Sequence, residues 1–383
     1  MTIRKLTITD VRNVLSATFE PSADVNVFFG ENGSGKTSLL EAIHILGVAR
    51  SFRTPKVKPV VRAGAERLTV FGFVDHADRK QPLPVGVSKG LLDENTLIRV
   101  AGETLYSSSE LAYLLPLLVI NPDTFKLLEG SPGSRRNFID WGVFHVKHDV
   151  FLPAWKSMQK ALKQRNALLR QGRVSESELS AWNHEFVAAA EQVDVLRKAH
   201  IEQLLPYFYT LLEKLSTLRD ITVSYYRGWD KEMALSDVLA KGVSRDLHAG
   251  FTHSGPQRAD LKVRSGKSSA IDRLSRGQLK MVVCALKLAQ GALLAETTAN
   301  KCVFLVDDLS SELDVSHRKA LCHILQQMNI QVFITCVDQD SLTDCWLPEV
   351  QCKMFHVKQG QVEWIENPVR AMRQAESLEI EHD

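Results

Sequence analysis

The sequence predicts an α/β protein: a P-loop head with an antiparallel β subdomain and an inserted short helical-hairpin arm. Three features predict it: a Gly-rich loop between an apolar run and an apolar-patterned helix, a late apolar strand ending in two carboxylates, and a central stretch with a helical hydrophobic period. Residues 30–37 read Gly-Glu-Asn-Gly-Ser-Gly-Lys-Thr. Gly30, Gly33 and Gly35 let the backbone turn its N–H groups inward around a polyphosphate, Lys36 can reach the outer phosphates, and the Thr37 hydroxyl can ligate Mg²⁺. Glu31, Asn32, Ser34 and Ser38 complete the candidate nucleotide-contacting run. Residues 25–29 read as a buried strand and residues 38–46 as a helix closed by Gly47, whose positive end faces the phosphates.

Length and composition bound the rest. A chain of 383 residues suggests two domains, or one large domain with an insertion. At 44% hydrophobic and 24% charged it builds a sizeable core, and a net charge of +2 leaves nucleic-acid affinity to local basic faces. The six cysteines (Cys284, Cys302, Cys322, Cys336, Cys345, Cys352) form no Cys-x-x-Cys pair and read as reduced core residues. Residues 1–8 alternate like an opening strand and lack the apolar core of a signal peptide. No stretch reads as long and apolar enough to span a bilayer, so the expectation is a cytoplasmic protein without a membrane partner.

Along the chain, residues 1–105 are strand-rich and form the first half of the head. Residues 106–220 turn helical: Trp155, Met158, Leu162, Asn166 and Leu169 repeat at helical spacing, and after the break at 171–173 so do Trp182, Phe186, Ala189, Val193, Leu196 and His200. Two such stripes across a Gly-containing turn predict an antiparallel hairpin. The strand at 221–226 is expected to return the chain to the first domain. Residues 221–368 supply the second half of the head, and residues 369–383 a charged tail.

That second half carries the complement of the P-loop. Val303-Phe304-Leu305-Val306-Asp307-Asp308 reads as a Walker B strand, expected to lie beside the P-loop strand. Asp307 would hold the metal shell, and Asp308 would orient or deprotonate the attacking water. Upstream, Leu274-Ser275-Arg276-Gly277-Gln278 opens a helix. Ser-x-Gly can simply cap that helix; alternatively Ser275, Gly277 and Gln278 are an ATP-binding-cassette (ABC) signature that faces a γ-phosphate. Ser311-Glu312-Leu313-Asp314 then matches the D-loop that follows Walker B, and the order favours an ABC-type P-loop ATPase head.

With these residues in view the chain resembles the RecF family, short-armed relatives of the SMC ATPases. Further marks are Ser51-Phe52-Arg53-Thr54, Pro122-Asp123, Gly130-Ser131-Pro132, Arg135-Arg136, Phe138-Ile139-Asp140, Lys163-Gln164-Arg165-Asn166, and Gly255-Pro256 leading to Ala259-Asp260-Leu261. The resemblance implies ATP and Mg²⁺ as cofactors and an ATP-dependent homodimer in which Ser275 of one copy closes over Lys36 and Thr37 of the other. It further implies slow hydrolysis, DNA binding without sequence preference at gaps or junctions, and RecR and RecO partners in loading recombinase, with roles in fork maintenance and the SOS response. Arg53 is a candidate nucleotide contact. Arg50, Arg53, Lys56 and Lys58 form one candidate DNA patch; Lys156, Lys160, Lys163, Arg165, Arg170 and Arg173 form another. The chain departs from the pattern at Cys336, where transporter cassettes carry a switch histidine, at Asp308, where a glutamate is usual, and at Gln257, where the family often has histidine. An ATP-switched clamp without essential turnover and a transporter-type subunit are the competing readings.

Overall fold

The computed structural model describes residues 1–76, 79–92, 96–171, 175–298, 300–347 and 350–365. The tail expected at 369–383 and Arg173 lie outside the described residues. The chain forms two compact units: Met1–Thr124 with Leu294–Asp383, and Phe125–Leu293. The expected boundaries at 105 and 220 therefore differ from the observed ones.

Unit one opens on a hairpin, β1 (Thr2–Val11) and β2 (Val14–Phe19), whose tip is Arg12-Asn13. Arg12 sits at φ 54, in the left-handed region that tight hairpin turns require. β3 (Val25–Phe29) is buried at every position, as an interior parallel strand must be. It runs through the glycine loop into α1 (Lys36–Val48). Gly47 lies inside this helix rather than closing it. A side chain there would collide with Leu117, and Ala49 takes the left-handed cap instead. β4 (Arg67–Asp75), β5 (Leu83–Gly90), β6 (Thr96–Val100) and β7 (Glu103–Leu105) complete an antiparallel sheet of order β2-β1-β4-β5-β6-β7. Leu68, Val70 and Val74 alternate inward along β4, into a core shared with Leu39, Ile43 and Leu46 of α1. Beyond α2 (Ser108–Leu114), β8 (Leu117–Ile120) is a short apolar strand within the stretch expected to be helical. Four consecutive apolar residues do not reveal a period, which is why the pattern hid it.

Unit two begins with α3 (Pro132–Val146), then α4 (His148–Arg170) and α5 (Glu176–Leu215), the long antiparallel hairpin. Met158, Leu162 and Leu169 of α4 and Phe186, Ala189, Val193 and His200 of α5 are buried, as the stripes require. β9 (Ile221–Tyr226) pairs with β10 (Asp260–Ser265) rather than rejoining the first unit, with α6 (Leu235–Ala249) between them in sequence. β11 (Ser268–Ser269) completes a three-stranded sheet of order β11-β10-β9. α7 (Ala270–Arg273) leads into α8 (Arg276–Thr297), which re-enters unit one at Leu294. α8 is long and apolar enough to cross a membrane, contrary to the expectation from sequence, but most of that window is buried within the fold.

The chain returns through β12 (Val303–Val306), α9 (Leu309–Glu312), α10 (Val315–Gln327), β13 (Val332–Cys336), β14 (Cys352–Lys358) and β15 (Gln361–Ile365). The second sheet runs β15-β14-β3-β13-β12-β8, parallel except for the β14–β15 hairpin. The Walker B strand β12 is therefore not next to β3, as expected; β13 lies between them. All six cysteines are thiols outside any disulfide, and all but Cys352 are buried.

Most of the family marks of unit two are internal ion pairs. Arg165, fully buried, donates to Asp246 at 2.8 Å, to Thr252 at 2.6 Å and to Asn183 at 2.7 Å. It is thus removed from the candidate DNA patch. Arg197 grips Asp140 through two bonds and the carbonyl of Pro256 through a third, and Arg135 grips Asp260. Breaking one partner of a buried pair strands the other charge, at a cost of about 3–5 kcal/mol. Asp246→Ala should therefore lower the urea midpoint of unfolding sharply. Asp246→Leu combined with Arg165→Met should recover most of the loss; a double variant no more stable than Asp246→Ala would contradict this assignment.

Candidate nucleotide site

The site in unit one lies where β3, β13 and β12 end together. Parallel strands of an open α/β sheet leave a crevice at their carboxyl ends, and the loop after β3 lines it. Gly30, Gly33 and Gly35 have φ of 146°, 81° and 119°, and a Cβ at Gly33 would meet no atom within 4 Å. The loop is therefore open where a phosphate would enter. Lys36 Nζ donates to the carbonyls of Gly30 at 2.7 Å and Glu31 at 2.9 Å, which stretches its side chain across the loop. Burial lowers its pKa, opposed by the nearby Asp308, Cys336 and Asp307. The Ser34 hydroxyl is buried without a hydrogen-bond partner. An orphaned, buried hydroxyl in a glycine loop beside an ammonium fits a polyphosphate.

Asp307 joins the two halves. Its Oδ1 accepts from the Thr37 hydroxyl at 2.9 Å and from the Thr335 hydroxyl at 2.8 Å. Thr335 also accepts the Asp308 amide at 2.8 Å, so one β13 side chain indexes both carboxylates. Burial raises the Asp307 pKa above the usual range, opposed first by the bonds from Thr335 and Thr37. A divalent cation held by Thr37 and Asp307 would favour the ionised carboxylate. No cluster of three or more His, Cys, Asp or Glu groups suited to a metal occurs among the described residues. Mg²⁺ here would thus need phosphate and water oxygens for most of its shell, as it commonly does beside nucleotides. Asp308 stands at φ 55 at the head of α9, with the Ser311 hydroxyl on its Oδ1 at 2.7 Å. Cys336 ends β13 close to Lys36 and Asp308, and burial pushes its thiol up to about 11, so it stays a neutral thiol.

The loop is braced by two residues outside it that were not among the sequence candidates. Asn13 Nδ2 donates to the Gly33 carbonyl at 3.2 Å, and Asn13 Oδ1 accepts the Ser38 hydroxyl at 2.9 Å. Ser38 therefore spends its side chain on the brace. From the β14–β15 turn, Gly360 N donates to the Ser34 carbonyl at 2.7 Å. Gly360 has φ 79°, and a Cβ there would collide with the Asn13 carbonyl. Behind the loop, the fully buried Glu41 of α1 accepts both arms of Arg12 at 2.8 Å and the Ser51 hydroxyl. Arg53 stands 3.9 Å from the same carboxylate and is 48% exposed, so it keeps a free face toward solvent. Thr335 and Glu41 carried no signal in a single sequence, since each sits in an apolar element whose neighbours explain its burial.

The remaining candidates lie elsewhere. In unit two, Ser275 N donates to Gln278 Oε1 at 2.9 Å and Gln278 N to Ser275 Oγ at 3.3 Å, a reciprocal capping box. Ser275, Arg276, Gly277 and Gln278 are all exposed, so the cap that starts α8 is also presented to solvent. Lys156, Lys160 and Lys163 share one exposed face of α4, and Lys56 and Lys58 are exposed beyond α1.

A braced phosphate loop, a strand-end carboxylate bonded to its Thr and a parallel sheet that brings β3, β13 and β12 side by side define an ABC-type P-loop ATPase head. The model of the RecF/RecN/SMC N-terminal domain matches residues 2–363. The DNA replication and repair protein RecF of Stutzerimonas stutzeri is 49% identical over 368 residues, 96% of this chain and 99% of its own. That of Pseudomonas syringae pv. syringae is 49% identical over 362 residues, 94% and 98% of the two chains. The chain belongs to the RecF family of DNA replication and repair proteins. Among solved structures, the recombination mediator RecF with ATP, of the RecFOR pathway, superposes with TM-score 0.83 at 24% identity over 95% of this chain and 98% of that one. The Smc head domain derived from Pyrococcus furiosus gives 0.60 at 15% identity over 99% of both.

The brace makes a quantitative prediction. Asn13→Ala removes two side-chain hydrogen bonds, so affinity for a fluorescent ATP analogue should fall about tenfold with little change in melting temperature. Gly360→Val should lose more, and unchanged affinity in both would exclude a bracing role.

Proposed function

We propose that this chain is an ATP-binding, Mg²⁺-dependent ATPase that dimerises on nucleotide and acts on DNA in recombinational repair. The observation that carries the nucleotide part is the Thr37–Asp307–Thr335 cluster, because it ties the phosphate loop to the acid that would complete a metal shell. In this reading Gly30, Glu31, Asn32, Gly33, Ser34, Gly35, Lys36, Thr37 and Ser38 cradle the triphosphate through loop and helix N–H groups. Lys36 neutralises charge on the outer phosphates. Thr37 and Asp307 would hold Mg²⁺, which would supply screening of negative charge on the phosphates, and Asp308 would orient water. Asp308 is one methylene shorter than the usual glutamate, in keeping with slow turnover. Arg53, half-exposed beside Glu41, reaches toward the nucleotide.

The exposure of Ser275, Gly277 and Gln278 supports dimerisation. A capped helix N-terminus turned to solvent offers N–H groups and a partial positive charge to a γ-phosphate held by a second copy. ATP would then act as the adhesive between copies, and assembly would track nucleotide by mass action. DNA contact falls to the exposed rows Lys156, Lys160 and Lys163, with Lys56 and Lys58, which touch phosphates without reading bases. The relatives' role in replication and repair, and the RecFOR pathway of the solved RecF, support DNA gaps as the site of action and RecO- and RecR-type partners. A DNA-stimulated, weak ATPase in the cytoplasm is the form this activity would take.

Ser275→Arg should leave ATP binding to the single chain nearly intact and abolish turnover. Normal hydrolysis by that variant would exclude a composite site. DNA affinity should fall steeply between 50 and 200 mM salt, because each neutralised phosphate releases counterion, and Lys156→Glu with Lys160→Glu and Lys163→Glu should flatten that slope by about three. A slope unchanged by the triple variant would remove α4 from the DNA interface. Gap binding with a non-hydrolysable analogue equal to that with ATP would make hydrolysis a release step and favour the clamp reading.

A further inference from the structure

Asp308 carries the water-orienting role in the proposed site, yet its position lacks the usual restraints on a carboxylate. Its φ of 55° lies in the left-handed region, where a Cβ crowds the following carbonyl. It also heads α9 without its side chain accepting an N–H of that turn, as an Asp in this place ordinarily does. A half-buried carboxylate so placed would move among several rotamers unless other groups held it.

Two hydroxyls supply the restraint. The Asp308 amide donates to the Thr335 hydroxyl at 2.8 Å, and the Ser311 hydroxyl donates to Asp308 Oδ1 at 2.7 Å. Ser311 N donates to the Asp308 carbonyl at 3.2 Å, so the residue is tied at its amide, its carbonyl and its side chain. The two hydroxyls are not equal. Ser311 is exposed, and water competes for its bond. Thr335 is 1% exposed, in a strand buried at every position, and water has no access to replace its bonds. Its proton goes to Asp307 Oδ1 at 2.8 Å and a lone pair to the Asp308 amide, which leaves the hydroxyl a single orientation. Its branched Cβ restricts χ1 as well.

On the reading that Asp308 orients water, we propose that Thr335 is a positioning residue for turnover. It fixes the Asp308 backbone from β13, and Ser311, more weakly, sets the direction of the carboxylate. An acid one methylene shorter than glutamate has less reach to correct a misplaced backbone, so the main chain has to set its location. Restraint of this kind acts on the transition state and leaves ground-state binding of the triphosphate to the loop.

Thr335→Val keeps the shape of the side chain and removes both bonds; Thr335→Ser keeps both bonds and drops a methyl. With Mg²⁺ and ATP, Thr335→Val should lower kcat about 100-fold and leave KM within about threefold, since a small misplacement of a reacting group costs that much. Thr335→Ser should return to within about fivefold of the parent, and Ser311→Ala, whose bond is exposed, should lose only about fivefold in kcat. Affinity for ADP with aluminium fluoride, a transition-state mimic, gives a readout apart from turnover. It should fall about tenfold or more in Thr335→Val while affinity for a non-hydrolysable ATP analogue holds. Ser311 lies on the surface, so Ser311→Ala tests the side-chain tie even where Thr335→Val lowers the melting temperature. Turnover unchanged in Thr335→Val or in Ser311→Ala, no recovery in Thr335→Ser, or analogue affinity lost in step with kcat would each overturn the proposal. Asp308→Asn separates the two claims. Normal turnover there would remove the reading of Asp308 itself; an inactive Asp308→Asn beside a normal Thr335→Val would leave that reading and defeat the positioning role.

Discussion

A single carboxylate oxygen organises unit one. Asp307 Oδ1 receives the hydroxyls of Thr37 and Thr335, which arrive from α1 and β13. For those bonds to form, β12, β13 and the loop after β3 must all end at the same level. The interposed β13 makes this possible, because a strand between β3 and β12 delivers Thr335 to the gap and lets its hydroxyl also fix the Asp308 amide. Burial of the carboxylate raises its pKa, and the two hydroxyl bonds oppose that shift. A group held between those tendencies would gain most from a cation, so the arrangement that orders the crevice is suited to one.

Rigidity around the loop comes from outside it. The β1–β2 tip supplies Asn13 from one side and the β14–β15 turn supplies Gly360 from another, so two hairpins clamp a loop whose glycines would otherwise leave it free. Glu41 anchors the first hairpin to α1 through Arg12. Unit two is held differently. Its buried charges, Arg165 with Asp246 near the turn of the helical hairpin and Arg197 with Asp140 midway along α5, tie the hairpin to the segments around Thr252 and Pro256. Such pairs contribute little net stability against apolar substitutes but penalise any other register, which suits an arm that must keep its direction.

Much of this was legible in the sequence. The glycine loop announced itself because phosphate binding needs a fixed spacing of glycines, Lys and Thr, and the hairpin stripes did so because 23- and 40-residue helices repeat their period many times. Strand order was not legible. The pattern of Val303 to Val306 shows that β12 is buried, but burial is the same for any interior position, so β13 could not be placed between it and β3. β8 was hidden by its brevity, and β9 was assigned to the wrong unit because a lone alternating strand does not name its neighbour. Arg165 looked like part of a basic face because a charge in sequence carries no sign of the Asp246, Thr252 and Asn183 that enclose it. Asn13 and Gly360 carried no signal for the nucleotide site in the sequence, and only their approach to the loop gives them a role there.

The proposed mechanism stands on nucleotide-driven pairing of two chains, for which the solvent exposure of Ser275, Gly277 and Gln278 is the supporting observation. Sedimentation velocity of the full chain with Mg²⁺ and a saturating non-hydrolysable ATP analogue tests this most directly. A shift from monomer to dimer that vanishes without nucleotide is the predicted result; a single monomeric boundary under both conditions would contradict it.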